Sequence, residues 1–316
     1  MASYIIRRLL AAIPSLIIVS IIIAGLIRLQ PGDVVMARLA ESGSVNDAQA
    51  AKMRHDLGLD RSFPEQYFDW AAGIVRGDFG DSLWTGRDVL GQIVQRSRVS
   101  IELAILSMGV ALIVALPLGI VSAVKQDSWI DYSARFFSVL GLSVPDFFLA
   151  TIVLYVLSVH IGWLPQFGYV PPWEDPWRNV QSFIFPALIV GYRFSAISAR
   201  MTRSAMLEVL RQDYIRTARA KGLVERSVVG RHALRNALIP VVTIMGTQFS
   251  FLLGGLVIME VIWGLPGVGT FGFEAIQRRD YPVVQGVVMM TAILFVVGNL
   301  LVDLSYALID PRIRYT

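Results

Sequence analysis

The chain contains no cysteine and only three histidines, His55, His160 and His232, among its 316 residues. Without cysteine, disulfides, thiolate catalysis, zinc–thiolate sites and iron–sulfur clusters are excluded. The histidines are far apart in sequence and form no HExxH-like pair, so we predict no metal site and no bound cofactor. Charged residues are also scarce, at 16% of the chain, where a soluble domain has about 25%. This composition argues against a soluble enzyme.

Hydrophobic residues make up 55% of the chain. Six apolar segments are long enough to cross about 30 Å of hydrocarbon, which needs roughly 20 helical residues. They cover residues 9–29, 99–124, 133–160, 182–201, 234–263 and 283–309. The sequence therefore predicts an all-α membrane protein with six transmembrane helices in a lipid bilayer. We divide it into an N-terminal transmembrane helix at 1–30, an extracytoplasmic loop with short helices at 31–98 and a five-helix core at 99–316.

The loops between these spans differ in charge. Residues 200–235 contain nine Lys or Arg and three acidic residues, for a net charge of +6, whereas the whole chain carries +4. The loops at 31–98, 161–181 and 264–282 have net charges of −2, −1 and zero. Cytoplasmic loops retain an excess of Lys and Arg. The pattern predicts an inner-membrane protein with both termini and the 200–235 loop in the cytoplasm, and no nucleic-acid partner.

Within the basic loop, the stretch DYIRTARAKG has the pattern of a short isolated helix. We predict Asp213 as its N-cap and Gly222 as a left-handed residue that ends it, with Lys221 at the negative end of the helix dipole. Two helical turns are not stable alone in water, so the segment needs a partner surface. Tyr214, Ala218 and Lys221 share one face, and we expect Ala218 to lie against the partner. An ordinary connection between two spans is the alternative.

Charged side chains inside a bilayer are costly, and they commonly mark a polar pathway or a buried pair. Five occur inside or at the borders of the predicted spans: Glu102, Asp146, Arg193, Glu260 and Asp303. We predict that Arg193, Asp146 and Gln248 line a translocation pathway, with Arg193 facing a water-filled cavity. Structural or interfacial ion pairs are the alternative for the charged residues.

The sequence has no G-x-x-x-x-G-K-[ST] phosphate loop, so we do not expect this chain to hydrolyse ATP or to be an enzyme. Two other classes remain open. A membrane-embedded enzyme would need converging His, Ser or acidic groups within the spans. A secondary transporter would show an internal repeat and broken helices near the midplane, and the sequence shows no such repeat.

The basic loop, DYIRTARAKGLVERSVVGRHALRNALIPVV, resembles the conserved cytoplasmic loop of ATP-binding-cassette importer permeases. Ala218 and Gly222 match the general Glu-Ala-Ala…Gly pattern of that loop. Arg216 and Thr217 depart from it, and Pro240 follows later than the general pattern has it. The similarity continues in order along nearly the whole chain, through IIRRLLAAIPSL, QPGD, DLGLDRSFPEQYFDW, GDFGDS, SVPDF, EVIWGLPGVGTFGFEAIQRRDYPVVQG and DPR. It is greatest to the peptide/nickel branch, as the first permease of a dipeptide or oligopeptide system.

This resemblance implies half of the translocation pathway of an ATP-driven, binding-protein-dependent importer of di- or oligopeptides. The alternatives are a secondary transporter, or the same importer class carrying nickel chelates, glutathione-like peptides or oligosaccharides. The implied partners are a second homologous permease, two cytoplasmic subunits that bind ATP and magnesium, and an extracytoplasmic substrate-binding protein. The implied contacts with the ATPase are Asp213, Tyr214, Ile215, Arg216, Ala218, Arg219, Lys221 and Gly222.

Overall fold

The structure is a computed structural model that describes residues 2–29, 35–36, 39, 47–56, 58–254 and 256–309. These residues form helices and connecting loops, with no β-sheet among them. The long helices are α1 (Ala2–Leu29), α4 (Val89–Val124), α7 (Pro176–Leu210), α9 (Leu234–Leu253) and α12 (Tyr281–Ile309). The short helices are α2 (Asp47–Asp56), α3 (Phe63–Arg76), α5 (Trp129–Ser143), α6 (Asp146–Tyr155), α8 (Asp213–Ala220), α10 (Val257–Ile262) and α11 (Val268–Arg278). A π-helical turn, Val156–His160, extends α6, and the turns Glu225–Ser227 and Val228–Ala233 lead into α9.

Five described helices are long and apolar enough to cross a membrane: Ile5–Leu26, Val89–Val124, Pro176–Leu210, Glu225–Leu253 and Tyr281–Leu304. A sixth crossing is formed by α5 and α6 together, if this bent pair counts as one span. The predicted class, an all-α membrane protein, is therefore confirmed, with five spans, or six if the bent pair is a single span. The helices also extend beyond the apolar segments. The second span begins at Val89 rather than at residue 99.

The third predicted span, 133–160, is not one straight helix. Its two parts, α5 and α6, meet at an angle of 94°. Val144 and Pro145 between them have extended backbones, with ψ of 121° and 138°. Proline has no backbone N–H and disfavours a helical conformation at the residue before it. The apolar run continues across Pro145, which is why hydropathy alone predicted a single helix here.

The fifth predicted span, 234–263, was also wrong in its extent. Helix α9 ends at Leu253, with Gly254 as its C-cap, and a separate short helix, α10, starts at Val257. The loop predicted at 264–282 contains helix α11, which begins directly after Gly267. The apolar run continues across Gly254, so hydropathy predicted one span where the structure has two helices.

The first of two compact units comprises Met1–Ser100 and Pro266–Val296. Its main core is an apolar cluster of Phe79, Val89, Ile93, Val268, Phe271, Ala275, Val283, Val284 and Val287. Beside this cluster, the buried Asp280 accepts hydrogen bonds from the Ser82 hydroxyl and, at 3.0 Å, from the Leu83 N–H. The N–H of Val268, at the start of α11, donates to the Ser100 hydroxyl at 2.9 Å. These bonds fix the loop before α4 and the start of α11 within the unit.

The second unit comprises Ile101–Leu265 and Val297–Thr316. Helix α7 is its centre, and α5, α6 and α9 all pack against α7. Helix α4 lies very close to α7, because a Cβ built on Gly191 would come within 2.6 Å of Val110 and one on Gly119 within 2.5 Å of Thr202. Small residues allow this close approach between helices in a membrane. This central helix leads directly into the basic loop.

Candidate functional site

Helix α8, the short helix of the basic loop, follows α7 after a turn at Arg211 and Gln212. The N-cap is Gln212, whose carbonyl accepts from the N–H of Ile215 at 3.1 Å. Asp213 is therefore the first residue of the helix, and its prediction as N-cap is wrong by one position. Its carboxylate is fully exposed and lies 3.4 Å from Arg216 Nη1. An acid in the first turn still favours the helix through the dipole.

The end of α8 agrees with the sequence-based expectation for Gly222. Its φ is +77°, in the left-handed region that side chains rarely adopt. Lys221 is the C-cap, and the N–H groups of Gly222 and Leu223 donate to the carbonyls of Arg219 and Ala218. These bonds satisfy carbonyls that the helix leaves without partners, and the left-handed Gly222 ends the helix at this point.

The inner face of α8 packs on the chain's own core. Ile215 is fully buried and Ala218 is 7% exposed. They belong to a second apolar cluster, Ala123, Ala205, Met206, Ile215, Ala218, Val228, Ala233 and Ala237. The expectation that Ala218 faces a partner is therefore wrong. Helix periodicity places Ile215 and Ala218 on one face, but it does not tell whether that face meets the chain itself or another protein.

The outer face of α8 and the turn after it are exposed. Arg216, Arg219 and Lys221 lie at the surface, together with 43% of Tyr214 and 71% of Val224. This surface combines basic groups with apolar ones, which is suited to a protein partner that offers acidic residues around an apolar patch.

Two polar contacts hold the exposed side of α8 in place. The hydroxyl of Tyr214 accepts from Asn236 Nδ2 at 2.7 Å, which joins α8 to α9. Arg219 forms a two-bond fork with Glu225, at 3.1 Å from Nε and 2.7 Å from Nη2. The hydrogen bonds that Arg219 donates to Glu225 raise the pKa of Arg219 above its ordinary value, so Arg219 stays charged. The sequence analysis missed both Asn236 and Glu225, although Glu225 stands out as one of three acids in a basic loop.

Two predicted pathway residues, Arg193 and Asp146, form an ion pair. Nη1 of Arg193 lies 3.0 Å from Oδ1 and 2.9 Å from Oδ2 of Asp146. The side chain of Arg193 is 48% exposed and that of Asp146 is 22% exposed. A charged pair inside a span requires polar surroundings on its exposed side.

The third predicted pathway residue, Gln248, lies apart from this pair. Its side-chain oxygen accepts from the Ser198 hydroxyl at 3.2 Å, which joins α9 to α7. Ser198 follows Arg193 by five residues, so the two side chains point about 140° apart around α7. The Nε2 of Gln248 is buried and finds no acceptor within the described ranges. Gln248 therefore belongs to the packing between two helices and does not join the Arg193–Asp146 pair.

Two family models match the chain and together cover nearly all of it. Residues 115–315 match the binding-protein-dependent transport system inner membrane component, and residues 1–104 match the N-terminal part of such a membrane component. The chain belongs to this family. As a member, it is an inner membrane component of a binding-protein-dependent transport system.

Full-length relatives support this assignment. The chain is 42% identical to the glutathione transport system permease protein GsiC of Pectobacterium atrosepticum, over 100% of both chains. It is 41% identical to the dipeptide transport system permease protein DppB of Alkalihalophilus pseudofirmus, again over 100% of both. An equally complete match, at 41%, is a putative peptide transport system permease protein of Brucella abortus.

Solved structures of transporters share the fold of this permease. An inward-facing form of the MetNI methionine ABC transporter superposes with a TM-score of 0.55 at 17% identity, covering 70% of this chain and 97% of that one. A second crystal form gives a TM-score of 0.56 at 18% identity, with coverage of 69% and 96%. At such low identity, the agreement concerns the fold.

The permease also contains a buried ionic cluster that the sequence analysis did not single out. Asp131, in the first turn of α5, is fully buried and accepts from Arg203 of α7 through Nε and Nη2, both at 2.8 Å. Arg135 Nη2 donates to it at 2.8 Å, and the hydroxyl of Ser122, near the end of α4, donates as well. Three helices therefore meet at one carboxylate. Because Asp131 and Arg203 are 72 residues apart, the sequence gives no sign that they pair.

Proposed function

We propose that this permease forms half of the translocation pathway of an ATP-driven importer of di- or oligopeptides, glutathione-like peptides included. The proposal draws on the full-length relatives, whose names specify glutathione, dipeptides or peptides. ATP and magnesium would be bound by two separate cytoplasmic subunits. A second homologous permease would complete the pathway, and an extracytoplasmic binding protein would deliver the peptide.

The observation that carries the coupling role is the two-sided construction of α8. Ile215 and Ala218 anchor the helix in the chain's own core, while its outer face is exposed between two long helices, α7 and α9. A two-turn helix held in this way moves together with the cores of its neighbours rather than independently. A force applied to its outer face by an ATPase would reach α7 directly. We therefore assign the ATPase contact to the exposed Tyr214, Arg216, Arg219 and Lys221.

Replacing Gly222 with valine tests this role. A Cβ at position 222 would meet nothing within 4 Å, so the substitution acts through backbone strain rather than through a clash. The left-handed conformation costs an ordinary residue about 1–2 kcal/mol, and a β-branched residue tolerates it least. We expect Gly222→Val to shift the turn after α8, to reduce co-purification of the ATPase subunits and to lower ATP-dependent peptide uptake at least about fivefold in proteoliposomes.

Gly222→Asn is the matched control, because asparagine adopts the left-handed region readily. It should retain most of the uptake and most of the ATPase binding. If both variants bind the ATPase subunits and take up peptide as well as the parent does, α8 has no coupling role. Peptide uptake by the parent without ATP would instead favour a secondary transporter.

Membrane orientation is open to direct test, since the chain has no native cysteine. We propose that both termini and α8 are cytoplasmic, and that the loop before α4 is outside. Thr85 and Thr217 are both exposed and suit cysteine replacement. Ser82, in the same outside loop, is buried against Asp280 and does not. An impermeant thiol reagent added to intact cells should label Thr85→Cys and reach Thr217→Cys only after permeabilisation, and the reverse pattern would contradict the topology.

A further inference from the structure

The Arg193–Asp146 pair lies at the centre of the two elements that carry it. Arg193 has seventeen helical residues on either side within α7. Asp146 is the first residue of α6, directly after the 94° bend that interrupts the α5–α6 span. In secondary transporters, interrupted helices near the bilayer midplane form substrate sites, because the exposed helix end supplies polar groups there. In this permease, the bend and the two charges coincide near the middle of their spans.

The guanidinium of Arg193 is only partly used. Nη1 makes both contacts with Asp146, and within the described part of the chain Nε and Nη2 donate to no group. Arginine has five N–H donors in a planar fork that matches a carboxylate. The side chain is 48% exposed, and its Nε and Nη2 edge has hydrogen-bonding capacity left for a ligand. Such an edge can bind a carboxylate through two parallel hydrogen bonds.

The second ionic cluster of the same unit shows what a closed pair looks like. Arg203 points its Nε and Nη2 edge at Asp131, and the two side chains are 19% and 0% exposed. Asp131 accepts three further hydrogen bonds, so it has little capacity for another ligand. The Arg193–Asp146 pair is more exposed than the Arg203–Asp131 pair and makes fewer hydrogen bonds. It can therefore accept a ligand, whereas the Asp131 cluster has a structural role.

We propose that Arg193 binds the C-terminal carboxylate of a peptide in transit, taking it in exchange for Asp146, while the released Asp146 faces the ammonium group of the peptide. The exchange rests on the proposed function. It replaces one ion pair by two and leaves no charge without a partner, which avoids the large penalty of an isolated charge in the membrane. Asp146 also remains favoured at the N-terminus of α6 by the helix dipole. When the peptide leaves, Arg193 and Asp146 pair again.

The test measures occupancy without depending on the binding protein. Ser143 is exposed and three residues before Asp146, and cysteine is close to serine in shape. The complete importer carrying Ser143→Cys, with the other subunits free of reactive cysteine, is labelled by a small water-soluble thiol reagent. Dialanine should slow this labelling, and dialanine amide, which lacks the carboxylate, should need at least about a tenfold higher concentration for the same protection. Thr85→Cys, in the loop before α4 and away from the proposed ATPase contact, is the control that neither peptide should protect.

Arg193→Gln in the same background should abolish the difference between dialanine and its amide, whereas Arg193→Lys should keep part of it. The double variant Asp146→Asn/Arg193→Gln has no unpaired charge, and it should assemble and still show no preference for the free acid. Equal protection by both peptides in the parent, or dialanine preference in the double variant, would overturn the exchange. Failure of the parent importer to take up any peptide with ATP and a loaded binding protein would overturn the proposed function itself.

Discussion

Asp131→Ala is expected to destabilise the membrane domain by about 3–5 kcal/mol, the cost of leaving a buried charge without its partner. The carboxylate of Asp131 is fully buried, and both guanidinium bonds from the 19%-exposed Arg203 end on it. Removing the carboxylate leaves Arg203 unpaired between α5 and α7. Asp131→Asn keeps the shape but loses the charge, so it should fall between the parent and the alanine variant. The melting temperature is measured in detergent by tryptophan fluorescence, and the amount of each variant in the membrane is compared with that of the parent.

Asp213→Ala is the matched control for Asp131→Ala. It removes the same side chain from a fully exposed site, where the carboxylate has only a 3.4 Å contact with Arg216. Such surface pairs contribute about 0–1 kcal/mol, so the melting temperature should barely change. If both alanine variants melt at the temperature of the parent, the cluster at Asp131 does not hold α4, α5 and α7 together.

Ala218→Asp is expected to detach α8 from the cluster that anchors it. The site is 7% exposed and surrounded by apolar side chains, among them Ile215 and Met206. Burial of a carboxylate there costs at least about 2 kcal/mol, so the detached state should become roughly thirtyfold more populated. Trypsin reports this directly, because the segment contains several arginines. Cleavage in detergent should accelerate by a similar factor, and peptide uptake should be lost.

Ala220→Asp places the same charge on the same helix at an exposed position. An acid in the last helical turn costs only about 0.3–1 kcal/mol through the dipole. Its trypsin cleavage should stay within a fewfold of the parent, whatever its effect on ATPase binding. Equal cleavage of the Ala218 and Ala220 variants would show that α8 is not held by its inner face.

The sequence predicted features that depend on neighbouring residues. Apolar runs predicted the spans, and Gly222 predicted a left-handed helix end, because span length and backbone conformation are local properties. The break at Pro145 was also readable, since proline interrupts a helix whatever the hydropathy around it. The span prediction relied on hydropathy at this position, and it therefore gave the third span as one straight helix.

Features that depend on distant contacts could not be predicted. The periodicity of α8 fixes the face on which Ala218 lies, but it does not tell whether this face packs on the chain itself or on a partner. Only the positions of α4, α7 and α9 decide between the two. The pairing of Asp131 with Arg203 joins residues 72 positions apart, and either residue alone looks like an ordinary end-of-span charge. The ion pair at Arg193 was different, because charges inside apolar segments are rare enough to be noticed individually.

The buried proline of α7 has a mechanical consequence. Pro186 removes one backbone hydrogen bond and makes α7 easiest to bend there. At 1.5 Å per residue, Leu210 lies about 36 Å from this hinge and Arg193 about 10 Å from it. If the part of α7 after Pro186 swings as a rigid rod, Arg193 moves about one third as far as Leu210. A shift of about 5 Å at its tip, one helical turn, moves Arg193 by about 1.5 Å, which is half the length of its 2.9 Å contact with Asp146. A single shift at the Leu210 end of α7 would therefore be enough to open or close the ion pair near the middle of this helix.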